Sequence, residues 1–70
     1  MVVKFRKYKS HDWEPDLFET SELAVLPRVG EWVTVPTIDS WESGRVRDIS
    51  WRIEKYSGTT VYIEIEAEQR

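Results

Sequence analysis

The fold is decided by residues 44–67, GRVRDISWRIEKYSGTTVYIEIEA. Within this stretch Val61, Ile63, Ile65 and Ala67 alternate with Tyr62, Glu64 and Glu66. A period of two marks a strand with one face buried and the other in water. Upstream, Ile49, Trp51 and Ile53 alternate in the same way with Ser50, Arg52 and Glu54. The two runs and the glycine near their join read as one long β-hairpin. Setting Ile53 opposite Val61 leaves Tyr56, Ser57 and Gly58 as the loop, because glycine takes the positive-φ position of a three-residue turn without steric cost. This register predicts Trp51 facing Ile63 and Ile49 facing Ile65 on the inside, with Arg52 facing Tyr62 outside. It also sets Asp48 against Glu66 and leaves Val46 out of phase with Ile49. A β-bulge near Arg47 and Asp48 removes both misfits. Gly44 is expected to form the turn leading into the strand.

The rest of the chain is read as material that closes the apolar side of this hairpin. With 70 residues there is room for a single domain and a small core. Cysteine is absent, so neither a disulfide framework nor a thiolate metal site is available, which suits a reducing cytoplasm. A net charge of −3 argues against binding to nucleic-acid backbones, which needs surplus Lys and Arg. The opening residues, MVVKFRKYK, hold no uninterrupted apolar run, so neither a signal peptide nor a membrane span is expected.

Residues 2–9 alternate loosely and predict a strand with Val3 and Phe5 inward; Lys4, Arg6, Lys7 and Lys9 protect it as an edge. Residues 10–20, SHDWEPDLFET, read as a loop broken at Pro15, in which Asp16 caps a single turn. His11, Asp12, Glu14 and Asp16 form the one cluster in the sequence that could suggest a metal. They lack the glycine and the bidentate Glu of a calcium loop, so a solvated acidic loop is expected and no metal or cofactor. Residues 22–26 leave a short strand and a frayed turn both open. Residues 31–35 predict a strand with Val33 and Val35 inward and Trp32 and Thr34 outward, ended by Pro36. Residues 37–43 are expected as a second loop carrying Trp41.

The order Pro27-Arg28-Val29-Gly30-Glu31-x-Val33, followed by Gly44-x-Val46-x-x-Ile49-x-Trp51 and an alternating last strand, resembles small SH3-like β-barrel proteins of bacterial and phage type whose role is unassigned. The resemblance covers residues 26–67. It implies an all-β fold, a small five-stranded SH3-like or OB-like barrel with a long C-terminal hairpin. The aromatic stretches of signalling SH3 domains are missing, so proline-rich peptide recognition does not carry over.

Nothing in the sequence reads as catalytic. There is one histidine and no cysteine, no phosphate-binding glycine loop and no nucleophile–base spacing, so no enzyme is expected. The positive signal is aromatic. Four Trp, three Tyr and two Phe exceed what so small a core can hide. Parity assigns Trp51 and Phe5 to the inside and leaves Trp13, Trp32, Trp41, Tyr8, Tyr56 and Tyr62 on loops or outer positions. Trp and Tyr recur at binding hot spots because they bury large rigid area at low entropic cost.

The expectation is a non-enzymatic interaction module, homo-oligomeric, that grips a protein or small ligand. Its anchors are Trp32, Trp41 and Tyr56, joined by Trp13, and Arg45, Arg47 and Arg52 supply charge-assisted hydrogen bonds. Trp13 and Trp41 have the competing reading of lids folded over the barrel ends. An alternative is single-stranded nucleic-acid binding, with Lys4, Arg6, Arg45, Arg47 and Arg52 tracking phosphates; the acidic row Glu64, Glu66, Glu68 weighs against it. A third is an aromatic cage for a cation built from Trp13, Trp41 and Tyr56 with Glu42.

Overall fold

The computed structural model describes residues 1–67. Its elements are β1 (Val2–Lys7), β2 (Phe18–Thr20), β3 (Trp32–Pro36), β4 (Trp41–Glu54) and β5 (Gly58–Ala67), with no helix among the described residues. They form one five-stranded sheet in the order β2-β1-β5-β4-β3, bent into the form of a small barrel of the SH3-like or OB-like kind. The chain is therefore all-β, as expected. At the centre β1 runs parallel to β5, and every other pairing is antiparallel. Glu68, the last of the expected acidic row, lies outside the described residues.

The long hairpin is present, and so is the bulge. Val46 pairs with Ile65 and Asp48 with Glu64, so Arg47 is the extra residue. That single insertion brings Val46 and Ile49 onto the same face, as their apolar character requires. The register differs from expectation by two residues. Ile53 pairs with Thr59 rather than Val61, Trp51 faces Val61, Ile49 faces Ile63, and Arg52 faces Thr60. Glu54 pairs with Gly58, so the loop is residues 55–57. Gly58 has a φ of 91° and fills the positive-φ site as the first paired residue after the turn rather than the last residue within it. A slip of two preserves parity, so every face assignment survives.

Gly44 is not a turn. It sits inside β4 opposite Ala67, fully enclosed. A Cβ there would run into the backbone of Glu66, 2.7 Å from its carbonyl carbon. Glycine at this position allows two strands to approach closely at the bend of the barrel.

Two further expectations are corrected, and the choice left open at residues 22–26 is narrowed. Residues 18–20 form no capped turn but a short strand, in which Phe18 pairs with Phe5 and their rings stack at 6.2 Å. Residues 22–26 form no strand. The second loop is only a tight turn, in which the Thr37 N–H donates to the Ser40 carbonyl at 2.9 Å. Trp41 therefore opens β4, opposite Pro36.

The core is Val3, Phe5, Val35, Val46, Val61, Ile63 and Ile65, with Leu17, Phe18, Leu26, Val33 and Ile49 packed against it. Because β5 lies between β1 and β4, its inward row is covered from both sides. Tryptophan is absent from this core. Trp51 shares the inward face, yet it is 55% exposed, against the expectation that parity would bury it. The cause is length. β3 pairs with β4 only as far as Arg45, so beyond the bulge the outer flank of β4 has no strand beside it, while β1 still flanks β5 as far as Thr60.

Candidate binding face

On the β3–β4 ribbon, residues 32, 34 and 36 of β3 and residues 41, 43 and 45 of β4 share the outer face. Three cross-strand pairs line it: Trp32 with Arg45, Thr34 with Ser43, and Pro36 with Trp41. The Arg45 guanidinium lies over the Trp32 ring, 5.8 Å from its centroid, and Nη1 donates to the Gly30 carbonyl at 3.1 Å. Thr34 Oγ1 and Ser43 Oγ share a 2.8 Å hydrogen bond. The two indoles are four positions apart along the ribbon, roughly 13 Å at the usual strand rise. Trp41 is 67% exposed and Trp32 37%.

The strip continues across the sheet. Arg45 pairs with Glu66 on β5, and Arg47 Nε lies 3.9 Å from the Glu66 carboxylate. The Arg47 guanidinium lies 5.5 Å from the centroid of the Tyr8 ring. Tyr8 is tied to the sheet because its N–H donates to the Ile65 carbonyl at 2.8 Å. Trp41, Trp32, Arg45, Arg47 and Tyr8 thus form one surface of aromatic faces and guanidinium planes. Such cation–π contacts contribute about 0.5–1 kcal/mol at exposed sites, and they hold flexible arginines in place.

Four of the seven expected site residues, Trp32, Trp41, Arg45 and Arg47, are brought together here. The other three are elsewhere. Tyr56 lies at the tip of the hairpin, the full length of β4 away from Trp41. Arg52 is near that tip, its Nε 2.8 Å from Glu54 Oε1. Its guanidinium pKa is raised above the ordinary value by a hydrogen bond to Tyr62 and then by the Glu54 charge. Trp13 stacks on His11 at 5.3 Å in the 11–16 loop. Trp13, Trp41 and Tyr56 therefore build no cage. Nor are Trp13 and Trp41 lids, since Trp13 is 80% exposed and Trp41 stands out from a strand. Sequence reasoning left Tyr8 out of the site. Its outward parity was legible, but its place beside Arg47 depends on the parallel β1–β5 pairing, which no local pattern announces.

The basic residues are mostly matched by acids. Lys4 lies 3.6 Å from Glu19 and 3.9 Å from Asp16, and Arg6 Nε lies 3.1 Å from Asp16. A depression of ≈ 350 Å³ is lined by Lys7, residues 14–17, Thr37 and Ile38, and contains none of the expected site residues. Among the described residues no three His, Cys, Asp or Glu side chains are grouped to hold a metal ion, and no helix is long and apolar enough to cross a membrane. Comparison with protein-family models, with curated proteins and with solved structures returns no match.

Proposed function

We propose that this chain is a non-enzymatic interaction module of the cytoplasm. It works as a homo-oligomer and grips a protein partner, or a small ligand, on the outer face of the β3–β4 ribbon. One observation carries the reading: all four tryptophans stand at the surface, while valine, isoleucine and Phe5 fill the core. Keeping indoles in water has no benefit for folding, whereas rigid aromatics beside fixed guanidinium groups suit a binding surface. Trp32 and Trp41 act as two anchors for an extended segment, the Thr34–Ser43 hydroxyls lie between them, and Arg45 and Arg47 meet carboxylates or carbonyls at one end.

Nucleic acid is the weaker reading, because Lys4, Arg6, Arg47 and Arg52 each sit against a carboxylate. Kinship with the small SH3-like proteins belongs to the same proposal.

The test is a pull-down from the native host with the Trp32→Ala/Trp41→Ala chain beside the wild type. Each exposed substitution should change stability by no more than about 1 kcal/mol, while partner retention falls about tenfold or more. A double variant that retains every partner overturns the reading.

A further inference from the structure

The part of β4 beyond the bulge has a second open feature. Residues 48–54 pair with β5 on one side only, since β3 reaches no further than the bonds between Val46 and residues 30 and 31. The direction of the free backbone groups follows from the register. Ile65 turns its carbonyl to β1, where Tyr8 donates to it. Alternation along β5 turns Ile63 and Val61 the same way. Their partners on β4, Ile49 and Trp51, and then Ile53, therefore point N–H and C=O away from β5. The three residues that carry the exposed apolar row thus also carry backbone donors and acceptors that meet no partner among the described residues.

Natural edges are guarded by proline, by short length or by inward-facing charge. β3 ends in Pro36 and β2 has three residues. Residues 48–54, DISWRIE, have none of these three guards: the bulge lies before them and the charges they carry are confined to the outer face. Arg52 and Glu54 lie on the outer face, and the inward row is Ile-x-Trp-x-Ile.

We propose that this edge pairs with the same edge of a second copy of the chain, antiparallel, about a two-fold axis at Trp51. The inference deepens the oligomeric part of the proposed function and leaves the Trp32–Trp41 face free. An isologous contact requires a self-complementary surface, and this one qualifies. The even register sets Ile49 against the partner's Ile53 and Trp51 against the partner's Trp51, so apolar meets apolar. On the outer face Arg52 faces the partner's Ser50, and Asp48 faces the partner's Glu54, a like-charge pair; Arg52, already bonded to Glu54, lies diagonal to the partner's Asp48 and places its guanidinium between the two carboxylates. The free stretch spans residues 48–54, and its midpoint is Trp51, so the pairing uses the whole open edge before β3 blocks it. Half-exposed Trp51 and Ile53, 77% exposed, together with the backbone strip offer a patch smaller than a standard interface, so the pairing is weak and reversible.

Sedimentation of the full chain over a concentration series into the millimolar range, paired with amide hydrogen exchange, tests this. The expected result is a monomer–dimer equilibrium in which the Ile49, Trp51 and Ile53 amides become protected as concentration rises. Trp51→Lys and Ile53→Lys, each with circular dichroism unchanged, should weaken dimerisation about tenfold or more, whereas Trp32→Ala should leave it intact. A chain that stays monomeric throughout overturns both this inference and the oligomeric part of the proposed function. A dimer that survives both lysine variants, or that breaks with Trp32→Ala, overturns the inference alone.

Discussion

The two halves of the long hairpin obey the same alternation and meet opposite fates. On β5 the inward row is flanked by β1 from Thr60 to Ile65, and Val61, Ile63 and Ile65 are buried; on β4 the flanking strand β3 stops at Arg45. Beyond the bulge the row continues through Trp51 and Ile53, which stand in water. Val61 and Trp51 are direct cross-strand neighbours on one face, yet only Val61 is enclosed. Alternation therefore specifies which side of a strand is apolar, and the flanking strands specify whether that side is used for folding or left for something else.

Three substitutions sharpen or break this contrast. Ile63→Ala removes the centre of the core and should cost about 2–5 kcal/mol, a large share of what so small a domain has to lose; urea denaturation would show it as a lowered midpoint. Gly44→Ala should cost about 1–3 kcal/mol, because the new methyl meets strand backbone at Glu66 rather than a mobile side chain; the loss should appear as a lower thermal midpoint. Ile53→Ala should shift stability by no more than about 0.5 kcal/mol when measured in dilute solution. If Ile53→Ala and Ile63→Ala prove equally costly there, the arm is part of the folding core and the contrast fails.

Most of the fold was legible because it is written in local alternation. The face assignments of Val3, Phe5, Val33, Val35, Ile63 and Ile65 needed only period-two counting, and the bulge followed from the phase slip between Val46 and Ile49. The register slip of two was invisible, because parity is blind to even displacements and Gly58 serves either turn. β2 was missed for a physical reason: three residues carry too little pattern, and Phe18 is placed by its ring on Phe5. Burial of Trp51 was misjudged because coverage depends on how far β3 runs, a property of another strand. The candidate face was half legible. Outward positions for Trp32 and Trp41 could be counted, but their shared ribbon depended on Trp41 belonging to β4. Tyr56, Trp13 and Arg52 were drawn into one site by residue type alone; the length of β4 sets Tyr56 and Arg52 apart from Trp41, and Trp13 stacks on His11 in a loop.

The parallel pairing of β1 with β5 has a consequence for how the chain reaches this state. Val2 meets Thr60 and Phe5 meets Ile63, contacts that join positions almost a whole chain apart, while the β3–β4 and β4–β5 turns close over short distances. Loop closure over that separation comes at an entropic cost that local pairing avoids, so the β3–β4–β5 meander assembles first and β1 docks last. During synthesis the first strand emerges early and waits for residues 60–65. Its lysines and arginines keep it from joining other chains in the interval.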